Sequence, residues 1–137
     1  NNNKYRMKRL THKKYDTLDY FITESIFWKR RYANLPSTFN KCGWGNGYIV
    51  IPKNHPFYKM HYNEIHEKYD IDVHGGFTFA GEAKEMSWPE VKDHMKKNDL
   101  WILGFDTNHA WDTEEKWPKR EVLRHTREIA NKLNKIK

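Results

Sequence analysis

Two short apolar segments place the strongest constraint on what this chain folds into, His74–Phe79 and Trp101–Asp112. Each combines a strand-like apolar body with side chains that bind or transfer protons. We expect the two segments to lie side by side in a sheet. Polar side chains from both would then converge on one pocket: His74, Thr78, Asp106, His109 and Asp112.

Length and cysteine content predict one compact domain. The chain has 137 residues, enough for a hydrophobic core without metals or disulfides. We expect residues 15–137 to form this domain. The single cysteine, Cys42, cannot form an internal disulfide, and no Cys/His spacing suggests a zinc knuckle. This pattern is typical of a protein in a reducing compartment.

Positive charge is concentrated at the two ends of the chain. Residues 1–14 hold six Lys/Arg and no acids, and residues 116–137 hold eight Lys/Arg against two acids. Subtracting these two contributions of +6 from the net charge of +7 leaves −5 for residues 15–115. We expect residues 1–14 to form a basic, flexible arm. The basic ends either solubilise the chain or attract nucleic acid or a polyanionic small ligand.

The sequence shows no sign of a membrane segment. It contains no apolar run of the length that crosses a bilayer, and the polar start at Asn1–Lys4 lacks the pattern of a secretory signal. We expect a soluble, cytoplasmic protein with no membrane partner.

Residue periodicity predicts an α+β fold, a small mainly antiparallel sheet with helices on one face and a helix at the C-terminus. Ser87 and Glu90 have the spacing of a capping box, which predicts a helix start. The predicted helices are 15–32, 56–69, 87–97 and 119–137, and the predicted strands are 48–51, 71–79 and 101–106.

The predicted strand with His74 contains two consecutive glycines, Gly75 and Gly76. Because glycine leaves backbone N–H groups unshielded, this stretch suits an anionic oxygen such as that of a phosphate. The alternative is a β-bulge whose histidine is hydrogen-bonded in the interior. We predict that His74 is catalytic and that Gly75, Gly76 and Thr78 bind the ligand.

The last predicted strand leads into Asp106, His109 and Asp112. A histidine can act as acid or base near neutral pH, and a carboxylate can orient it or hold a divalent cation. We predict that His109 and Asp106 are catalytic and that Asp112 binds the ligand. A divalent metal is an alternative role, although the spacing matches no familiar motif such as HExxH. The structural alternative is a loop of turn-forming residues.

Trp111 stands between His109 and Asp112 in a polar stretch, whereas we expect most other tryptophans in the core. Its indole could stack on a base of a ligand. The histidines around the second predicted helix do not share one face, and we expect them at the surface. They are His55, His61 and His66.

Four parts of the chain resemble a group of small proteins found largely in bacteriophage genomes, which share the motifs HGG-x-T-[FY] and GFD-x-x-H-x-x-D. The corresponding residues here are Gly47–Pro52, His55-Pro56, His74–Phe79 and Gly104–Asp112. The resemblance implies a viral origin. It also implies a nucleotide-like ligand, since some small phage proteins counter host defence by binding or destroying nucleotide signals.

The leading hypothesis is a phage counter-defence protein that acts in the host cytoplasm. It would bind a nucleotide-derived immune signalling molecule and hydrolyse it, with one histidine as base and the other as acid. Two alternatives stay open. One is a sponge that sequesters the nucleotide without chemistry, and the other is a nucleic-acid- or protein-binding module that uses the basic ends.

Overall fold

The structure is a computed structural model that describes residues 17–26 and 42–137. Its elements are β1 (Tyr20–Glu24), β2 (Gly45–Ile51), α1 (Tyr62–Lys68), β3 (Phe79–Glu82), a 3₁₀ helix (Ala83–Glu85), α2 (Asp93–Lys97), β4 (Trp101–Phe105) and α3 (Lys119–Asn134). The four strands form one antiparallel sheet in the order β1-β2-β4-β3. The predicted α+β class, with its antiparallel sheet and C-terminal helix, is confirmed. The predicted arm, residues 1–14, lies outside the described residues.

Apolar clusters cover both faces of the sheet, because successive residues of β2 and β4 point to opposite faces. The larger cluster holds Ile49 and Leu103 together with Leu133 of α3, all fully buried. The smaller cluster holds Val50 of β2 and Met95 of α2. Helices therefore pack on both faces, and the prediction of helices on one face holds only for α1 and α3.

The first described strand corrects one prediction. The helix predicted over residues 15–32 is wrong at β1, Tyr20–Glu24, and the rest of that range falls largely outside the described residues. Strand β1 pairs antiparallel with β2, with Tyr20 opposite Ile49. Aromatic and β-branched residues fit a pleated surface well, and pairing with a neighbouring strand decides between the two periodicities.

The strand predicted over residues 71–79 is wrong for most of its length, since β3 begins only at Phe79. The residues before it form a loop with a turn at His74 and Gly75. Gly75 and Gly76 both have positive φ, 69° and 78°, which a regular strand cannot continue through. The Gly76 N–H donates to the Val73 carbonyl oxygen at 2.8 Å and closes the turn.

The two middle helices are shorter than predicted. Helix α1 begins only at Tyr62, where the His61 side chain accepts a hydrogen bond from the Asn63 N–H. The helix start predicted from the capping box at Ser87 is wrong, because α2 begins at Asp93 and its N-cap residue makes no side-chain hydrogen bond to the helix. The predicted strands at β2 and β4 and the predicted C-terminal helix are confirmed within a few residues.

No helix in the described part of the chain combines the length and the apolar character needed to cross a membrane.

Candidate functional site

The candidate site lies where the loop before β3 meets the loop after β4. The two strands are antiparallel, with Phe79 opposite Gly104, so the start of β3 lies beside the end of β4. The Thr78 N–H donates to the Gly104 carbonyl oxygen at 2.8 Å and extends this pairing into the loop. Residues 74–78 and 106–112 therefore meet at one edge of the sheet.

The centre of the site is the buried carboxylate of Asp112. His74 Nε2 lies 3.0 Å from each of its oxygens. His109 Nδ1 also lies 3.0 Å from Oδ2. The two imidazole rings meet edge to face, with centroids 5.1 Å apart. The predicted convergence of these three side chains is found, although the residues before β3 reach the site as a loop and not as a strand.

A tight turn gives the H-x-x-D spacing its structural role. The backbone N–H of Asp112 donates to the His109 carbonyl oxygen at 3.0 Å, and the backbone N–H of His109 donates to Asp112 Oδ2 at 2.9 Å. The preceding Thr107 anchors the loop, because it is fully buried and its Oγ1 donates to the Gly45 carbonyl oxygen at 2.7 Å. These bonds fix Asp112 and His109 relative to the end of β4.

Asp106 lies on the opposite side of the His109 ring. Its Oδ1 is 3.5 Å from His109 Nε2, so each nitrogen of this imidazole faces a carboxylate. Asp106 is itself held in place, since Thr78 Oγ1 donates to Oδ2 and the Asn108 N–H donates to Oδ1, both at 3.0 Å. We call His74, Asp106, His109 and Asp112 the His/Asp cluster.

His74 is held by two residues near or within α3 that no sequence motif singled out. Nε2 of the buried His125 accepts a hydrogen bond from the backbone N–H of His74 at 3.0 Å. The Trp117 ring packs on the His74 ring with centroids 4.3 Å apart. A signal for His125 was present, because it lies three residues after Val122 and four before Ile129 on the buried stripe of α3.

Gly75 allows the two halves of the site to approach closely. A Cβ atom at this position would lie 2.3 Å from His109 Cε1 and 2.4 Å from Nε2. At Gly76 the nearest neighbour of such an atom would be His66 Nε2 at 3.4 Å. His66 in turn accepts a hydrogen bond from the Phe77 N–H at 2.8 Å. The His109 ring therefore occupies the space that any side chain at position 75 would need.

Two groups of the site have shifted pKa values. Burial alone would raise the pKa of Asp112, but hydrogen bonds from His74 and from the His109 backbone and ring leave it lowered. The carboxylate is therefore ionised at neutral pH. Burial lowers the pKa of His125. This favours the neutral ring, whose Nε2 can accept the hydrogen bond from the backbone N–H of His74.

Trp111 differs from the other predicted site residues. The residue is 85% exposed, and its backbone has a φ of 77°, which non-glycine residues rarely adopt. Its role in ligand stacking stays a prediction.

The expected surface position of the other histidines is wrong for His55. This residue is buried, and its Nε2 donates to the Leu133 carbonyl oxygen at 2.7 Å while Nδ1 accepts from the Phe57 N–H. His61 is exposed as expected.

Comparisons with protein-family models, with curated proteins and with solved structures find no match for this chain. Two imidazoles around an ionised carboxylate can transfer protons or can coordinate a metal ion. The ligand atoms of His74, His109 and Asp112 lie within 4.8 Å of one another, which is close enough for one ion to contact all three.

Proposed function

We propose that the protein binds a nucleotide-derived signalling molecule at the His/Asp cluster and hydrolyses a phosphodiester bond in it. The observation that supports this proposal is the convergence of His74 Nε2 and His109 Nδ1 on the Asp112 carboxylate. The side chains of the two histidines are 26% and 36% exposed, so a ligand can reach the rings. Titratable groups that are packed together and still open to solvent are typical of catalytic sites.

The loop around the cluster suits a nucleotide. Gly75 is exposed and lies against the His109 ring, so a phosphate that contacts the ring also comes near a glycine backbone. Trp111, in the same loop as His109, presents an exposed indole on which a base can stack. These two features provide for the two chemical parts of a nucleotide, the phosphate and the base.

The proposed biological role is phage counter-defence in the cytoplasm of the host cell. It is supported by the resemblance of residues 74–79 and 104–112 to motifs of small phage proteins. The four members of the His/Asp cluster are all residues that these motifs specify. A motif whose fixed residues meet in space is better explained by a shared site than by a shared fold alone.

The proposal is tested by incubating the protein with a panel of cyclic mononucleotides, dinucleotides and trinucleotides and separating the products by chromatography. We expect one of them to be hydrolysed, and we expect His74→Ala and His109→Ala to abolish turnover. His94→Ala is the matched control, because His94 is an exposed histidine of α2. Recovery of the intact nucleotide after denaturing the complex would instead show sequestration. Absence of binding to every member would contradict the proposal.

The basic ends remain an alternative route to a polyanionic partner. Part of the positive charge on α3 is already paired, since Arg124 lies 2.6 Å from a Glu121 oxygen and 3.6 Å from a Glu128 oxygen. Binding through the ends would weaken steeply with salt and would be lost on deletion of residues 1–14, whereas it would survive His109→Ala.

A further inference from the structure

We propose that His74 Nε2, His109 Nδ1 and one carboxylate oxygen of Asp112 bind a single divalent transition-metal ion, with zinc as the best match. What the ion does for hydrolysis rests on the proposed function. The binding of the ion does not, because it can be measured without any substrate.

The geometry of the three ligand atoms is close to that of a metal site. Each histidine nitrogen lies 3.0 Å from an Asp112 oxygen, and the ligand atoms of the three residues lie within 4.8 Å of one another. In a tetrahedral site with bonds of ~2.0–2.2 Å, neighbouring ligand atoms lie about 3.3 Å apart. The two histidine–carboxylate separations therefore change by only a few tenths of an ångström when an ion replaces the protons between the rings and the carboxylate, and the two histidine nitrogens, which lie within 4.8 Å of each other, come together around the ion.

Asp106 completes a pattern that is common around metal-bound histidines. A histidine that coordinates a metal through one nitrogen usually donates the N–H of the other nitrogen to a carboxylate, which fixes the orientation of the ring. In His109 the Asp112 carboxylate lies at Nδ1, and Asp106 Oδ1 lies 3.5 Å from Nε2, so a small shift of the ring brings its N–H within hydrogen-bonding distance of Asp106. Asp106 is in turn held by Thr78 and Asn108.

The ligands are also held in place by the surrounding fold. His125 accepts the His74 N–H and Trp117 packs on the His74 ring. On the other side, the His109 ring packs against Gly75 where a Cβ atom would not fit. A site whose ligands are positioned before the ion arrives does not have to order them on binding.

Charge favours an ion as well. The cluster contains two acidic side chains, Asp106 and Asp112, which attract a cation. A divalent cation cancels these charges and adds a Lewis acid. Three protein ligands also leave a fourth position for water or a phosphate oxygen, as in catalytic rather than structural zinc sites. Two nitrogens and one carboxylate suit zinc better than magnesium or calcium, which prefer oxygen ligands.

Calorimetric titration of the tag-free chain with zinc, after dialysis against a chelator, tests the inference. We expect one ion per chain, with binding abolished in His109→Ala and in Asp112→Asn. Asp106→Asn should weaken affinity by about 10–100-fold, because it removes only the support of a ligand. His94→Ala should bind as the unmodified chain does, and circular dichroism should show that every variant is folded.

A second readout keeps the test decisive if an alanine variant fails to fold. Cobalt in place of zinc should give the visible absorption of a tetrahedral site, and Asp106→Asn should shift that spectrum. No stoichiometric binding, or equal affinity in folded His109→Ala, would overturn the inference. Hydrolysis that persists in excess chelator would overturn the role of the ion in hydrolysis, while leaving both its binding and the proposed function intact. Tight zinc binding without hydrolysis of any nucleotide would contradict only the proposed function.

Discussion

Replacing Gly75 by alanine gives a direct test of how the His/Asp cluster is assembled, and Gly76→Ala is its matched control. Both glycines have positive φ, 69° and 78°, so both substitutions impose the same kind of backbone strain. They differ in what the new methyl group meets. At Gly75 it meets the His109 ring at 2.3 Å, whereas at Gly76 it reaches only His66 Nε2 at 3.4 Å.

The structure gives the expected magnitudes. An alanine in this backbone region costs about 1–2 kcal/mol, so both variants should lose about that much free energy of unfolding. Ordinary contact begins at 3.4 Å, so the His109 ring must retreat by about 1 Å in Gly75→Ala. The ring is 36% exposed and can turn toward solvent, so this displacement disrupts the site more than the fold. We expect zinc affinity to fall about 10–100-fold in Gly75→Ala and to change by less than about twofold in Gly76→Ala.

Two assays separate the two effects. Urea denaturation followed by tryptophan fluorescence measures the free energy of unfolding, and calorimetry measures zinc affinity. Similar losses of stability with a selective loss of affinity in Gly75→Ala would support the packing of Gly75 on His109. Equal zinc affinity in the two variants would refute it, because the His109 ring would then not depend on the space at Gly75.

Three further predictions concern the fold and the rim of the site. Leu133→Ala should reduce the free energy of unfolding in urea by about 2–5 kcal/mol, because Leu133 is fully buried. The control Arg127→Ala, on the exposed side of α3, should change it by less than about 0.5 kcal/mol. Trp111→Gly should leave that free energy within about 1 kcal/mol of its original value, since the residue is 85% exposed and its φ is 77°. It should weaken nucleotide binding by about 1–3 kcal/mol. A large loss of stability would show that the indole packs on the fold. Burial lowers the pKa of His55 from its ordinary 6.5, so near this pH the unfolded chain binds more protons than the folded chain. The free energy of unfolding therefore falls as the pH drops below about 6.5, by at most about 1.4 kcal/mol per pH unit for one such group. His55→Gln should remove part of this slope in denaturation curves from pH 7.5 to 5, His94→Gln should not, and an unchanged slope in His55→Gln would contradict the assignment.

Local sequence patterns were sufficient to predict the elements whose conformation in the fold matches their own residue periodicity. The β-branched run of β2, the apolar run of β4 and the stripe of α3 are each recognisable without knowledge of the rest of the chain. They failed where an outside partner decides the conformation. Strand β1 has a helix-like spacing of apolar residues, yet it lies extended because β2 offers it a row of hydrogen-bonding groups.

The candidate site shows the same division. The sequence predicted that His109 and Asp112 lie in one pocket, and a tight turn brings them into contact. The sequence also selected His74, but for a different reason, since it predicted a strand where the structure has a loop turned by two glycines.

The order of the residues is enough to show which chemical groups this protein can bring to a site and which of them are close along the chain. Their arrangement in space depends on the folded chain, because the contact of His74 with Asp112 joins residues 38 positions apart and that of His74 with His125 joins residues 51 positions apart. Both contacts depend on the pairing of β3 with β4 and on the packing of α3 against the sheet. Such long-range contacts follow from burial and strand pairing, which no local pattern of residues encodes.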